Sequence, residues 1–148
     1  MSEPVDSAAE GVFAPIRFAE LDGFGKVLLS ALAALFGAVA GLLGTLQHLA
    51  VLEIGAVPIR FGIALAFVVG LLLLIGLRGA IDGRLPVVLA AVALGGVVVL
   101  AQMPSPAGTV LITGDPLSQV WGFGMPFLAL LVGAWPRFAH RPRPEGEV

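Results

Sequence analysis

Six polar residues offer most of the chemistry in this sequence, and all of them lie near the ends of long apolar stretches. They are Gln47, His48, Glu53, Arg60, Gln102 and Gln119. Together they can form one polar cluster that admits a polar solute, and His48 with Glu53 can exchange protons at such a site. The other interpretation is ordinary polarity at helix ends, where an exposed Glu53–Arg60 ion pair contributes little. We favour the second, because no ionisable residue lies at the middle of an apolar stretch.

The motifs of soluble enzymes are missing from the sequence. The chain has no G-x-S-x-G, no Walker loop and no H-E-x-x-H. Its lack of cysteine excludes disulfides, thiol nucleophiles and cysteine-bound metals. His48 and His140 do not make a metal site, and we expect His48 to be a hydrogen-bonding residue at a membrane interface. The sequence therefore predicts no catalytic residue, no cofactor and no metal ion.

The composition is that of a membrane protein. Apolar residues make up 58% of the 148 residues and charged residues only 12%, against about 25% charged in a soluble domain. Such a chain cannot cover its surface with polar groups, so lipid is its expected partner. The net charge of −2 gives no reason to expect nucleic acid as a partner.

Charged residues divide the chain into four apolar stretches, each long enough to cross a bilayer as a helix. The predicted spans are about 27–50, 59–77, 85–103 and 117–136. Residues 26–137 then form an all-α, polytopic transmembrane four-helix bundle. Residues 1–25 form an acidic tail that is partly disordered or interfacial, and residues 138–148 form a basic, proline-rich tail.

The positions of lysine and arginine predict the orientation. With four spans, one side of the membrane holds Arg17, Lys26, Arg78, Arg84, Arg137, Arg141 and Arg143. The other side holds Arg60 alone. The predicted location is therefore the plasma (inner) membrane, with both termini in the cytoplasm.

The fourth predicted helix carries its own start signal. Asp115 is a good N-cap, and Pro116 suits the first helical position, where no N–H is needed. Pro126 removes a backbone hydrogen bond inside the helix, which predicts a kink. Trp121 and Trp135 are spaced to lie in the two aromatic belts of the membrane interfaces.

Small residues at steps of four predict how the first two helices pack. They are Ala33, Gly37 and Gly41 on the first helix, and Gly62, Ala66 and Gly70 on the second. Helices in lipid associate through close backbone contact, which needs small side chains. Each of these rows is thus a candidate packing face.

Two segments carry a resemblance to a known family. They are GAVPIRFGIALAFVVGLLLL at 55–74 and SPAGTVLITGDPLSQVWGFG at 105–124. Both resemble a family of small, uncharacterised four-span membrane proteins of high-GC actinobacteria, often encoded near a deacetylase of mycothiol synthesis. The resemblance implies a four-span inner-membrane protein, and it carries over no catalytic residue.

Three functions fit these features. The first is a non-enzymatic accessory or scaffold subunit that packs against another membrane protein or against itself. The second is a small homo-oligomeric transporter or channel that uses the polar cluster on the outer side as its entry site. The third, an enzyme built on His48 and Glu53, has the least support, because two polar residues do not make a catalytic constellation.

Overall fold

The structure, a computed structural model, describes residues 15–54, 57–103 and 116–135. Its helices are α1 (Gly23–Gln47), α2 (Gly62–Ala80), α3 (Arg84–Leu100) and α4 (Pro116–Ala134). A short 3-10 turn, Phe18–Glu20, precedes α1, and β1 (Leu52–Ile54) pairs antiparallel with β2 (Val57–Ile59) between α1 and α2. The described chain is therefore all-helical apart from one small hairpin, in agreement with the predicted class.

Several predictions fall outside the described residues. They concern Asp115, the first part of the acidic tail, and the tail after residue 135 with its arginines and His140. The helix that Asp115 was expected to cap does begin at Pro116. It continues through Pro126 to Ala134, and the kink at this proline stays a prediction.

The helix ends follow local hydrogen bonding as well as hydropathy. α1 begins at Gly23, before the apolar stretch, because the Asp22 carboxylate accepts the Gly25 N–H at 2.7 Å. α2 begins only at Gly62, because β2 occupies the residues just before it. The sequence did not predict this hairpin.

Three of the four helices are long and apolar enough to cross a membrane. These are α1 with 25 residues and α2 and α4 with 19 each, whereas α3 is equally apolar but has 17 residues. Large apolar side chains point away from the bundle on each of the four, such as Leu35, Leu72, Val92 and Phe127. An apolar surface of this extent on all sides fits lipid as the surrounding solvent.

The four helices pack as an up-down-up-down bundle. α1 lies beside α2 and α3, and α4 closes the bundle by packing on α3 and α2. The α1–α3 contact is the most extensive, and its two helices run parallel. The α2–α3 turn, the start of α1 and the end of α4 therefore lie at one end of the bundle, which we call the basic end. The hairpin lies at the other.

Glycine allows the close approach of α1 and α3. A Cβ at Gly37 would overlap the Ala90 carbonyl oxygen, and one at Gly41 would lie 2.7 Å from the Leu94 carbonyl oxygen. All six small residues of the two predicted rows are buried. On α1, Gly37 and Gly41 of this row contact α3 and not α2, which follows α1 in the chain.

The centre of the bundle is filled with side chains. Leu74, Leu94, Trp121 and Met125 each have 1% exposure or less and pack together with small residues of every helix. A single copy of the described bundle thus has a solid core along its axis.

Two arginines and the N-terminal segment meet at the basic end. The Ile16 N–H donates to the Ala80 carbonyl at 2.7 Å, and the Asp82 N–H donates to the Ile16 carbonyl at 2.7 Å. Arg78 donates to the Trp135 carbonyl, and Arg84 donates to the Ala134 carbonyl at 3.1 Å. Cations at these carbonyls satisfy and complement the C-terminal end of α4. The α2–α3 turn therefore holds both the N-terminal segment and the last turn of α4.

Pro126 explains the position of Gln102. Because proline has no N–H, the Gly122 carbonyl four residues earlier loses its helical donor. The Gln102 Nε2 donates to this carbonyl at 3.1 Å, and the buried Gly122 leaves room for the amide. A side chain from the turn after α3 thereby replaces a backbone hydrogen bond of α4. Such a replacement matters most where no water can reach the freed carbonyl.

We expect the effects of Gln102→Ala and Pro126→Ala to be coupled. In the native background Gln102→Ala leaves the Gly122 carbonyl unsatisfied, and we expect a loss of about 1 kcal/mol in the free energy of unfolding. With Pro126→Ala present, the amide at position 126 satisfies that carbonyl, and the same change should cost less than about half as much. Reversible unfolding in mixed micelles of the four proteins of this cycle measures the coupling.

Gln47→Ala is the matched control, because it removes the same amide from an exposed position at the same end of the bundle. Its cost should stay within about 0.5 kcal/mol in both backgrounds. Strictly additive effects of Gln102→Ala and Pro126→Ala would contradict the role assigned to Gln102.

Candidate functional site

A buried polar cluster joins the last turn of α1 to the first turns of α4. It consists of Thr45, His48, Ser118 and Trp121, which are each 3% exposed or less. α1 and α4 lie diagonally across the bundle and share little direct contact. The long His48 and Trp121 side chains span the gap between the two helices.

The hydrogen bonds of this cluster run from α4 to α1. The Trp121 Nε1–H donates to the Thr45 Oγ1 at 3.3 Å, and the Thr45 hydroxyl donates to the Gly41 carbonyl at 2.8 Å. The Ser118 Oγ and the His48 Nε2 are 3.2 Å apart, and the His48 Nδ1 is 2.6 Å from the Thr45 carbonyl. Two chains of hydrogen bonds therefore end on backbone carbonyls of α1.

The geometry fixes the tautomer of His48. A carbonyl oxygen only accepts, so the Nδ1 facing Thr45 carries the proton. In the neutral ring the Nε2 is then an acceptor, and the Ser118 hydroxyl donates to it. A neutral His48 satisfies both of its ring nitrogens inside the bundle.

Trp121 belongs to the core and not to the outer aromatic belt, so that prediction is wrong. Its ring stacks on His48 with centroids 6.3 Å apart and meets Phe67 edge-on at 5.3 Å. Its indole N–H finds a partner in Thr45, which makes the burial of a tryptophan favourable. Trp135 is 60% exposed at the basic end, and its position in an aromatic belt stays a prediction.

The Ser118–His48 pair has the form of a nucleophile beside a base, with the Thr45 carbonyl as the group that orients the ring. Nucleophilic chemistry also requires that a substrate reach the hydroxyl. Ser118 has 0% exposure and His48 has 1%. In this arrangement the pair joins α1 to α4, and neither side chain is accessible to a substrate.

The six polar residues that the sequence singled out all lie toward the hairpin end, but in different environments. His48 lies in the buried polar cluster, and Gln102 bonds the α4 backbone from a half-buried position. The other four side chains are exposed at the hairpin end: Gln47, Glu53, Arg60 and Gln119. Gln47 borders a groove between α1 and α2. Among the described residues, then, the site with the most internal hydrogen bonding contains only one of the six.

Thr45, Ser118 and Trp121 were not predicted from the sequence as members of this cluster. A signal was present in the spacing, because Thr45 precedes His48 by three residues and Ser118 precedes Trp121 by three. Residues three apart share one face of a helix. Both pairs also lie at the same predicted end of the bundle, so the two faces were candidates to meet.

Comparison with known protein families, curated proteins and solved structures finds no match to this chain. Within residues 15–54, 57–103 and 116–135, no three histidine or acidic side chains are grouped to hold a metal ion. Functional conclusions therefore depend on the geometry of the described residues.

We expect Ser118→Ala to destabilise the bundle, because it removes the hydroxyl that faces the His48 Nε2. A buried acceptor left without its donor costs about 1 kcal/mol in a membrane protein. The measurement is reversible unfolding of the purified protein in a neutral detergent.

Ser30→Ala is the matched control. Ser30 is also buried, but its Oγ has no hydrogen-bond partner in the described structure. The same chemical change should therefore be neutral or slightly stabilising at Ser30. Equal losses at both serines would show that the Ser118–His48 bond contributes nothing.

Proposed function

We propose that this protein is a four-span protein of the plasma (inner) membrane that acts without catalysis, as an accessory or scaffold subunit packed against another membrane protein or a second copy of itself. In this arrangement α3 is the fourth span. Its 17 residues extend roughly 26 Å, which is close to the thickness of a bilayer core. Burial of its Val87, Leu94 and Val98 at the centre of the bundle supports this assignment.

Charge supports the orientation that we propose. Arg17, Lys26, Arg78 and Arg84 lie at the basic end, and Arg60 lies at the hairpin end. The basic end then faces the cytoplasm under the positive-inside rule, together with both termini.

The observation that carries the accessory role is a groove between α1 and α2, which we call the small-residue groove. It has a volume of about 200 Å³. Its lining residues are Ala40, Leu43, Gly44, Gln47, Leu65, Ala66 and Val69. Small residues let the backbone of another helix approach closely, and an amide at the end of the groove adds an interhelical hydrogen bond. Both are features of a helix-docking surface.

A transporter remains the alternative function, with a restriction on where its path runs. Because side chains fill the centre of one bundle, a solute path would have to lie between copies. Exposed Gln47 and Glu53 would then border its outer mouth.

The association is tested by blue native electrophoresis and chemical crosslinking of the tagged protein in its own membranes. We expect a complex larger than the monomer, and we expect Ala40→Leu with Gln47→Leu to weaken it by about fivefold or more. Gly76→Leu is the control, because position 76 opens onto lipid-facing space on α2 with no neighbour within 4 Å. A monomer with no crosslinked partner, or equal weakening by the control, would overturn the accessory role.

Cysteine labelling in whole cells tests the orientation, because the natural chain has no cysteine. Glu53→Cys on the hairpin should react with a membrane-impermeant maleimide in intact cells, and Glu20→Cys should react only after permeabilisation. The reverse pattern would invert the proposed topology.

A further inference from the structure

A second groove, between α1 and α3 at the basic end, has the features of a lipid site. We call it the Lys26 groove, and its volume is about 350 Å³. Its lining residues are Lys26, Val27, Ser30, Ala31, Ala34, Leu85 and Leu89. The walls are apolar, and the polar groups are one ammonium and one hydroxyl.

Both polar groups of this groove lack a partner in the part of the chain that the structure describes. The Ser30 Oγ makes no hydrogen bond, although Ser30 is only 7% exposed. The Lys26 ammonium makes no ion pair or hydrogen bond with any described residue. The nearby Asp22 carboxylate is engaged with the Gly25 N–H as the cap of α1. Buried polar groups normally have hydrogen-bond partners, so the unpaired Ser30 hydroxyl near the unpaired Lys26 ammonium is unusual for an apolar groove.

Lys26 and Ser30 are four residues apart on α1, so they lie on one face and roughly 6 Å apart along the helix axis. Lys26 is the nearer of the two to the end of the helix. A glycerophospholipid presents the same order of groups, with its phosphate at the surface, its ester carbonyls deeper, and its acyl chains below. The Ser30 Oγ is buried in the wall of the groove, so contact with a ligand requires a different χ1 rotamer of Ser30.

The other grooves favour an anionic lipid at this end. At the basic end, one groove is bordered by Arg78 and another by Arg84. Grooves toward the hairpin end are bordered by the neutral amides of Gln47 and Gln102 instead. Arg78 and Arg84 already donate to carbonyls of α4, whereas Lys26 has no such bond to a described residue.

We propose that the Lys26 groove binds one anionic phospholipid, with its phosphate at the Lys26 ammonium, an ester carbonyl at the Ser30 hydroxyl, and an acyl chain against Leu85 and Leu89. This inference rests on the proposed membrane location and adds a specific lipid partner to it. A basic residue near an anionic membrane surface favours binding of negative charge, and hydrocarbon walls favour the chain.

The test is native mass spectrometry of the purified protein in a neutral detergent, titrated with phosphatidylglycerol or with phosphatidylcholine of the same acyl chains. We expect phosphatidylglycerol to bind about fivefold more tightly. Lys26→Gln should reduce this preference to within about twofold, whereas Ser30→Ala should weaken both lipids alike, because both present the ester carbonyl. Ala31→Phe, which fills the groove, should abolish binding of both.

Two controls match these variants. Arg17→Gln removes a positive charge from the same end, but Arg17 is exposed and paired with Glu20 outside the groove, so the preference should persist. Gly76→Phe adds the same bulk to an open position on α2, so binding should persist. Circular dichroism and the thermal unfolding midpoint verify that each variant is folded.

Each contrary result is decisive. Equal affinity for the two lipids, an unchanged preference in Lys26→Gln, or binding by Ala31→Phe would overturn the lipid site. Displacement of the lipid by equimolar inorganic phosphate would show a simple anion site instead. A protein that dissolves without detergent would sink the membrane location itself, whereas a detergent-dependent protein that binds neither lipid would sink only the lipid proposal.

Discussion

The close contact between α1 and α3 is the constraint on which the rest of this structure depends. The apolar outer surfaces of the helices suit lipid. In lipid, burial of leucine favours association little, and dispersion between closely approaching backbones supplies the gain. Gly37 and Gly41 bring α1 against the carbonyls of Ala90 and Leu94. Once these two parallel helices are set, α2 and α4 occupy the remaining sides, and the large apolar side chains are left to face outward.

α4 is held by a different kind of interaction. Near its start Ser118 and Trp121 reach α1. The Gly122 carbonyl accepts a hydrogen bond from Gln102, just after the end of α3. At the end of α4 two arginines donate to the last carbonyls. These hydrogen bonds satisfy polar groups that would otherwise lack a partner, and they also hold α4 against its neighbours. The molecule combines a packing interface, α1–α3, with a hydrogen-bonded one around α4.

Much of this fold follows from the sequence, and the reasons for the failures are physical. Uncharged stretches and helix-stopping prolines locate the helices, and steps of four between small residues pick the buried rows of α1 and α2. Composition cannot say which helix covers which row, so the α1–α3 pairing needed the structure. Trp121 was misplaced because the sequence shows the depth of a tryptophan but not the direction of its side chain. The buried polar cluster was not predicted because serine and threonine hydroxyls in helices often bond only to a carbonyl of their own helix. The sequence does not distinguish Ser118 and Thr45 from such residues.

The α1–α3 pairing also has a consequence for the order in which the bundle assembles during synthesis. A chain emerges from the ribosome with its N-terminal part first, and the helix that covers Gly37 and Gly41 is the third to be made. Until α3 is made, Gly37 and Gly41 lack the backbone that they contact in the complete bundle. Synthesis of α3 therefore supplies the partner of the glycine face of α1, and α4, made last, completes the bundle.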